Sequence, residues 1–386
     1  MKQRKVLRRT VAILMMLTCA FVFAGIGAMD SHAATTKKQK GEALKAYNTS
    51  KYKVIKNQKW NYVKKFKYKK WKDGQNSTKI YYKSIRSTKG YSASFRRWMM
   101  FETDNPQSIA VTPDGSTMFI MSAHKGSKSK EHLWKGYIYR INLKGINSDP
   151  QVKAQLKRGQ ALEVFSCNGK RTKPLNPKSS EADYIYKKYV RVSGQMTVGH
   201  GQTLAYNPKT KKLWYIPNAK RKWGKAVMVN PDTLKQEASI DFVFKKNIKC
   251  PSVLTFDKNG NAYVYTKSYG GWAPKNTAKI YKGTITPSKV KFRLVMSGIR
   301  YAPGDIVQSI GYNPANDCLY LMSDCSIIRV PVAKLNTKKS KLKKSHIKAA
   351  RFGGQREFEG IAFDNAGNGY FLVNKPDEIM QVNRGF

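Results

Sequence analysis

Apolar and polar positions along this chain alternate in short runs broken by turn residues, not at helical spacing. Residues 200–216, "HGQTLAYNPKTKKLWYI", show the unit: an apolar run, a polar turn at Asn207-Pro208, then a second apolar run. Short runs rich in β-branched and aromatic residues, meeting at Pro, Asn, Asp or Gly, predict a β-hairpin. The hairpin recurs as "QSIAVTPDGSTMFIMSA" from Gln107, "PSVLTFDKNGNAYVYTKS" from Pro251, "QSIGYNPANDCLYLMSD" from Gln308 and "EGIAFDNAGNGYFLVNK" from Glu359. With Gln202 as the start of the first example, successive copies begin 95, 49, 57 and 51 residues apart.

A third strand is predicted after every copy: "GYIYRINL", "KAVMVNP", "AKIYKGTI", "SIIRVPV" and "EIMQVNRG". A fourth follows the first four copies: "YKKYVRVSG", "EASIDFVF", "KFRLVMSG" and "HIKAARFGG". The last copy runs out at Phe386, and "SASFRRWMMFET", through Ser94–Phe101, is the expected replacement from the other end of the chain. Sheets of four strands bury their faces by packing around a ring, and a last sheet built from both chain ends clasps it. The expectation is an all-β, five-bladed β-propeller closed by an N-terminal strand. Six blades is the alternative count, with a degenerate blade inside the insertion between about Gly145 and Asp183. A stack of sandwiches is the alternative architecture.

The turns "VTPDG", "FDKNG" and "FDNAGNGYF" resemble the first hairpins of NHL-like and YVTN-like bacterial β-propellers, over roughly residues 91–386. That resemblance implies a fold and specifies no chemistry.

Charge then narrows the partners. The 386 residues carry 73 Lys plus Arg against 23 Asp plus Glu, a formal +50. "MKQRKVLRR", the apolar "TVAILMMLTCAFVFAGIGAM" and small residues at Ser31 and Ala33 read as a signal peptide, residues 1–33, cleaved before Ala34. A membrane anchor is the competing reading of that apolar stretch. Cleavage removes five basic residues and one acidic residue, so the remainder keeps a formal +46 (50 − 4). Such a field draws polyanions. Outside a Gram-positive cell these are teichoic or lipoteichoic acid, or acidic glycans; nucleic acid is not the expected partner. The export signal and Lys/Tyr-rich composition resemble secreted surface proteins of lactobacilli.

Residues 34–90 form a separate arm in which Lys alternates with aromatic residues. Lys59, Trp60, Lys64, Lys65, Lys69, Lys70 and Trp71 are its candidate envelope contacts, or else part of an outer strand packed on the propeller, residues 91–386. Loops entering the inner strands share one face of a propeller with the loops joining second to third strands. This face is expected to gather Gln107, His200, Gln202, Gln308, Arg356 and Glu359 around the channel mouth, with Trp134, Trp223 and Trp272 on neighbouring loops. Amides, charges and tryptophans together suit a glycan, although each Trp could instead pack on a blade.

His200 with Glu357 and Glu359 is the catalytic candidate. "DKNGN" and "DNAGN" mimic the start of a calcium loop without its distal Glu, so neither metal nor cofactor is expected. Cys167, Cys250, Cys318 and Cys325 allow up to two disulfides, with Cys318–Cys325 the nearest pair, or buried free thiols. The composite reading is a secreted noncatalytic binding protein at the anionic envelope. The alternatives are a lyase or hydrolase acting on an acidic polysaccharide in the channel, and a large bacteriocin-like protein.

Overall fold

The computed structural model describes residues 32–35, 69–72, 79–84 and 105–384, apart from 125–129, 151–187, 218, 220, 245–247, 268–277, 300–305, 324–325, 336–345, 352–356 and 376. Three short strands come first: β1 (His32–Thr35), β2 (Lys69–Lys72) and β3 (Lys79–Ser84). The repeat then unfolds sheet by sheet. The Gln107 copy forms β4 (Asn105–Val111) and β5 (Thr117–His124), followed by β6 (Lys135–Asn142), a short helix Leu143–Ser148, β7 (Val190–Val192) and β8 (Met196–Thr197). The Gln202 copy gives β9 (Ala205–Asn207), β10 (Lys212–Tyr215), β11 (Trp223–Val229) and β12 (Gln236–Val243). The Pro251 copy gives β13 (Thr255–Phe256), β14 (Ala262–Lys267), β15 (Ala278–Thr286) and β16 (Lys289–Ile299). From Gln308 come β17 (Ser309–Asn313), β18 (Cys318–Ser323), β19 (Ser326–Pro331) and β20 (Lys348–Arg351). From Glu359 come β21 (Glu357–Phe363), β22 (Gly369–Lys375) and β23 (Asp377–Arg384).

Each copy is an antiparallel meander in chain order, with β8 also pairing β6. Inner strands are buried on both faces: β17 and β18 have no exposed residue. Outer strands alternate, so β16 buries Val290, Phe292 and Leu294 while Lys289, Lys291 and Arg293 face solvent. This gradient explains how one chain holds many lysines and a large apolar core. Hydrophobic clusters lie between successive sheets. Ala110 and Phe119 pack with Leu204 and Leu213, Trp214 with Phe256 and Tyr281, Tyr265 with Leu319 and Leu321, and Tyr320 with Phe363 and Phe371. A further cluster joins last to first, with Leu372 and Ile379 against Ile109 and Ile120. Inner strands touch in the cyclic order β4, β9, β13, β17, β21 and back to β4. A cycle of face-packed meanders is a β-propeller.

The clasp differs from the sequence expectation. β23 pairs antiparallel with β3, Met380 opposite Ser84 and Val382 opposite Tyr82. β3 in turn pairs with β2, Lys69 opposite Tyr82. The strand beside β23 is therefore Lys79–Ser84; Ser94–Phe101 lies outside the described residues. A boundary at residue 91 cuts through this sheet. β1 adds in parallel to the outer strand β16, His32 opposite Lys291. The insertion expected to hide a sixth blade falls mostly on residues outside the described set.

The Cys318–Cys325 disulfide is not present. Cys250 and Cys318 are buried free thiols, and Cys318 Sγ donates to the Asn316 carbonyl at 3.2 Å. Cys167 and Cys325 lie outside the described residues. Burial pushes the Cys250 thiol up to about 12 and the Cys318 thiol up to about 11, from 9.0. Peptide-mapped alkylation at pH 8 is expected to leave both unlabelled in the folded protein and to label both in denaturant. Because both values are raised, the stability these thiols allow is complete below about pH 9 and declines as pH rises towards 11–12.

Candidate functional site

Three of the residues expected around the channel, Gln202, Gln308 and Glu359, lie together. Gln202 Nε2 donates to Gln308 Oε1 at 2.5 Å and lies 3.4 Å from Glu359 Oε2. These side chains come from the second, fourth and fifth sheets; the second and fourth are not neighbours, so they touch across the axis. Gln107 from the first sheet lies beside Gly201, whose φ of +82° lets the chain pass close to it. Next to these residues, hydroxyls tie the sheets together. The Ser108 hydroxyl donates to the Gly201 carbonyl and accepts from Leu204 N at 3.2 Å. Ser309 Oγ accepts from Ile361 N at 3.2 Å.

This ring is closed rather than open. Gln107, Gln202, Gln308 and Glu359 are only 3% to 6% exposed. Further along the inner strands a cavity of about 60 Å³ is lined by Ile109, Leu204, Leu254, Ile310 and Ile361 and, at the hairpin turns, by Pro113, Pro208, Lys258 and Pro314. Gln107 Oε1 and Gln202 Oε1 have no donor among the described residues. A buried carbonyl oxygen without a donor costs about 1–3 kcal/mol.

His200 sits off the axis. Its Nδ1 faces Glu131 Oε1 at 3.3 Å, and its ring stacks on Trp134 with centroids 5.6 Å apart. The Trp134 carbonyl accepts from Val198 N and Gly199 N at 2.9 and 3.1 Å. Trp134 thus packs the loop entering the second sheet against the loop joining β5 to β6, which places both on one face as expected. Glu131 is thus a carboxylate beside His200; Glu357 lies at the start of β21, opposite Lys375. Trp272, Arg356, Lys59, Trp60, Lys64 and Lys65 are outside the described residues. Lys69, Lys70 and Trp71 lie in β2, the edge strand of the last sheet. No group of three or more His, Cys, Asp or Glu able to hold a metal is found among the described residues. Nor is any helix there long and apolar enough to cross a membrane.

The larger opening lies between the first and second sheets, where a groove of about 630 Å³ runs between β6 and β8 on one side and β10 and β11 on the other. Trp223, 47% exposed, and Leu133, 50% exposed, stand at its surface. Tyr215, Val227 and Leu234 supply buried apolar lining, and burial raises the Tyr215 hydroxyl well above its ordinary value. Lys135, Lys225 and Lys235 line it, and among the described residues no Asp or Glu does. Lys135 Nζ donates to Thr197 Oγ1 at 2.9 Å. Lys225 Nζ stands 3.9 Å from Asp241 Oδ1, an exposed ion pair of small worth. His132, also in the lining, is held below its ordinary value by desolvation, then by Arg221 and Lys130, and is neutral at pH 7. Of this groove the sequence reading found only Trp223. The lysines alternate with buried residues on β6 and β11, and that outward-facing register was the missed signal.

No protein-family model matches the chain, and no curated protein does. Solved structures share a distant likeness. A protein of unknown function from Bacteroides thetaiotaomicron is 13% identical, TM-score 0.36, over 82% of this chain and 70% of that one. A glucose dehydrogenase is 12% identical, TM-score 0.34, over 74% of this chain and 85% of that one. The β-propeller domain of Cps50 (Swd1) from Myceliophteria thermophila is 8% identical, TM-score 0.33, over 80% and 90%.

Proposed function

We propose that this chain is a secreted, noncatalytic binding protein held at the anionic envelope of a Gram-positive bacterium. In this reading its five repeats are five blades of an NHL- or YVTN-like disc, and it works as lactobacillar surface proteins of similar composition do. The observation that carries the proposal is the charge: 73 basic residues against 23 acidic ones. Exposed rows such as Lys289, Lys291 and Arg293 on β16 support it. Each cation near an anionic surface contributes about 1 kcal/mol at low salt, and the field is screened within about 3 Å at 1 M salt. The partners are teichoic acid, lipoteichoic acid or an acidic glycan.

A lyase or hydrolase working in the channel would need room for its substrate. The channel cavity of about 60 Å³ is far below the roughly 300–1,000 Å³ of ligand pockets, which favours a binding surface outside it. The test is extraction of the protein from intact cells with increasing NaCl. Release is expected to be nearly complete by about 1 M salt; retention through that wash overturns the proposal.

A further inference from the structure

We infer that the groove between the first two sheets is a binding site for an anionic saccharide. A sugar ring would lie against Trp223, and its carboxylate or phosphate would be met by Lys135, Lys225 and Lys235. This rests on the envelope reading and names the site and ligand chemistry within it. Three observations converge. The groove's volume, about 630 Å³, accommodates a few sugar units. Its indole is nearly half exposed at the groove, although a surface Trp normally buries most of its ring. Among the described residues its lining carries three lysines and no carboxylate.

The position of these groups fits a saccharide better than a bare anion. An anion alone needs only the lysines and gains nothing from an indole. A pyranose presents a C–H face that stacks on an aromatic ring while its hydroxyls take up amides at the rim. Gln195 and Gln236, both exposed in the lining, provide such amides. Lys135 is steadied by Thr197, and Lys225 and Lys235 stand on the opposite wall, on β11 and just before β12. A charged ring between the walls would meet cations from both sides. A neutral sugar would keep the stacking and lose the charge contacts.

Binding calorimetry on the full chain in low salt would use four probes. These are a hexameric oligogalacturonate, a neutral galactan oligomer of the same length, a sugar phosphate and inorganic phosphate. The oligogalacturonate or the sugar phosphate is expected to bind at least about tenfold more tightly than the neutral oligomer or free phosphate, and which of the two wins identifies the acid group. Trp223→Ala is expected to weaken that binding about tenfold or more, as loss of an exposed aromatic anchor does. Lys225→Ala with Lys235→Ala should weaken it and flatten its salt dependence. These side chains are solvent-facing, so an unchanged melting temperature certifies the fold of each variant.

Wild-type affinity in both variants overturns the groove while leaving the envelope reading intact, because charge elsewhere would then carry attachment. Loss of binding in the lysine variant with none in Trp223→Ala also overturns it, showing a charge patch without a sugar platform. If the unaltered chain binds no anionic probe and does not associate with cells at low salt, the envelope reading fails and the groove with it.

Discussion

Deleting residues 1–90 is expected to lower the melting temperature by about 8 °C more than deleting residues 1–68 does, and to promote aggregation that the shorter deletion does not. Both deletions remove β1, so the comparison isolates β2 and β3. Four residue pairs register β3 against β23: Met380 with Ser84, Gln381 with Lys83, Val382 with Tyr82 and Arg384 with Tyr81. At about 1 kcal/mol net for each ladder hydrogen bond, losing this pairing costs about 4 kcal/mol, and about 2 °C per kcal/mol is the scale for a chain of this size. Loss of β3 also bares the outer edge of β23. An unpaired strand edge is a template for joining another copy. The lysines of "KKWK" in β2, the edge strand that covers β3, are the residue type that discourages such joining. Tyr82→Pro offers a gentler test at full length, since proline removes one donor from an interior strand; it should fall between the two deletions. Full-length melting behaviour in the chain lacking residues 1–90 would show that the last sheet does not depend on β3.

The repeat was legible because its signal is chemical as well as periodic. The residue at or just past the end of each inner strand is Thr112, Asn207, Asp257, Asn313 or Asp364, and in every copy its side-chain oxygen accepts a backbone N–H from within or just beyond the turn, at 2.9 to 3.0 Å. The turn then needs a left-handed residue. Gly115, Gly260 and Gly367 supply it in three copies, and Lys211 and Asp317 in the other two. Side chains that can bond their own turn, followed by Gly, are readable from a sequence. The partner of β23 was less legible, because "KIYYKS" and "SASFRRWMMFET" both offer short apolar runs flanked by charge, and only three-dimensional register chooses between them. The site was half legible. Repeat position foretold that Gln202, Gln308 and Glu359 converge, but burial is decided by how tightly the ring closes, which pattern does not encode. The groove is assembled from two sheets and has no local motif at all.

Asp364→Ala is expected to destabilise the protein by about 3 kcal/mol, and Asp257→Ala by a similar amount. Both carboxylates are buried and sit in matching cages. Asp364 Oδ1 accepts from Asn368 N at 2.9 Å, and Oδ2 from Asn368 Nδ2 at 2.8 Å and the Tyr370 hydroxyl at 3.3 Å. Asp257 repeats this with Asn261 N at 2.8 Å, Asn261 Nδ2 at 2.8 Å and the Tyr263 hydroxyl at 3.3 Å. Removing the carboxylate strands three donors at Asp364 and, with Asn259 N, four at Asp257, and each hydrogen bond to a charged group is worth about 1.5–3 kcal/mol. Desolvation first, with the neighbouring aspartate second, raises both tyrosine hydroxyls well above their ordinary value, so each stays protonated as the donor. Asp114 provides the contrast. It accepts from Thr112 Oγ1 at 2.6 Å and Ser116 N at 3.1 Å but is exposed, so water can replace it and Asp114→Ala should cost at most about 1 kcal/mol. Because protein donors fill the two buried carboxylates, excess EDTA or calcium should leave the denaturation midpoint unmoved. A calcium-dependent midpoint, or equal costs at all three aspartates, would show that these turns are held by something other than their own hydrogen bonds.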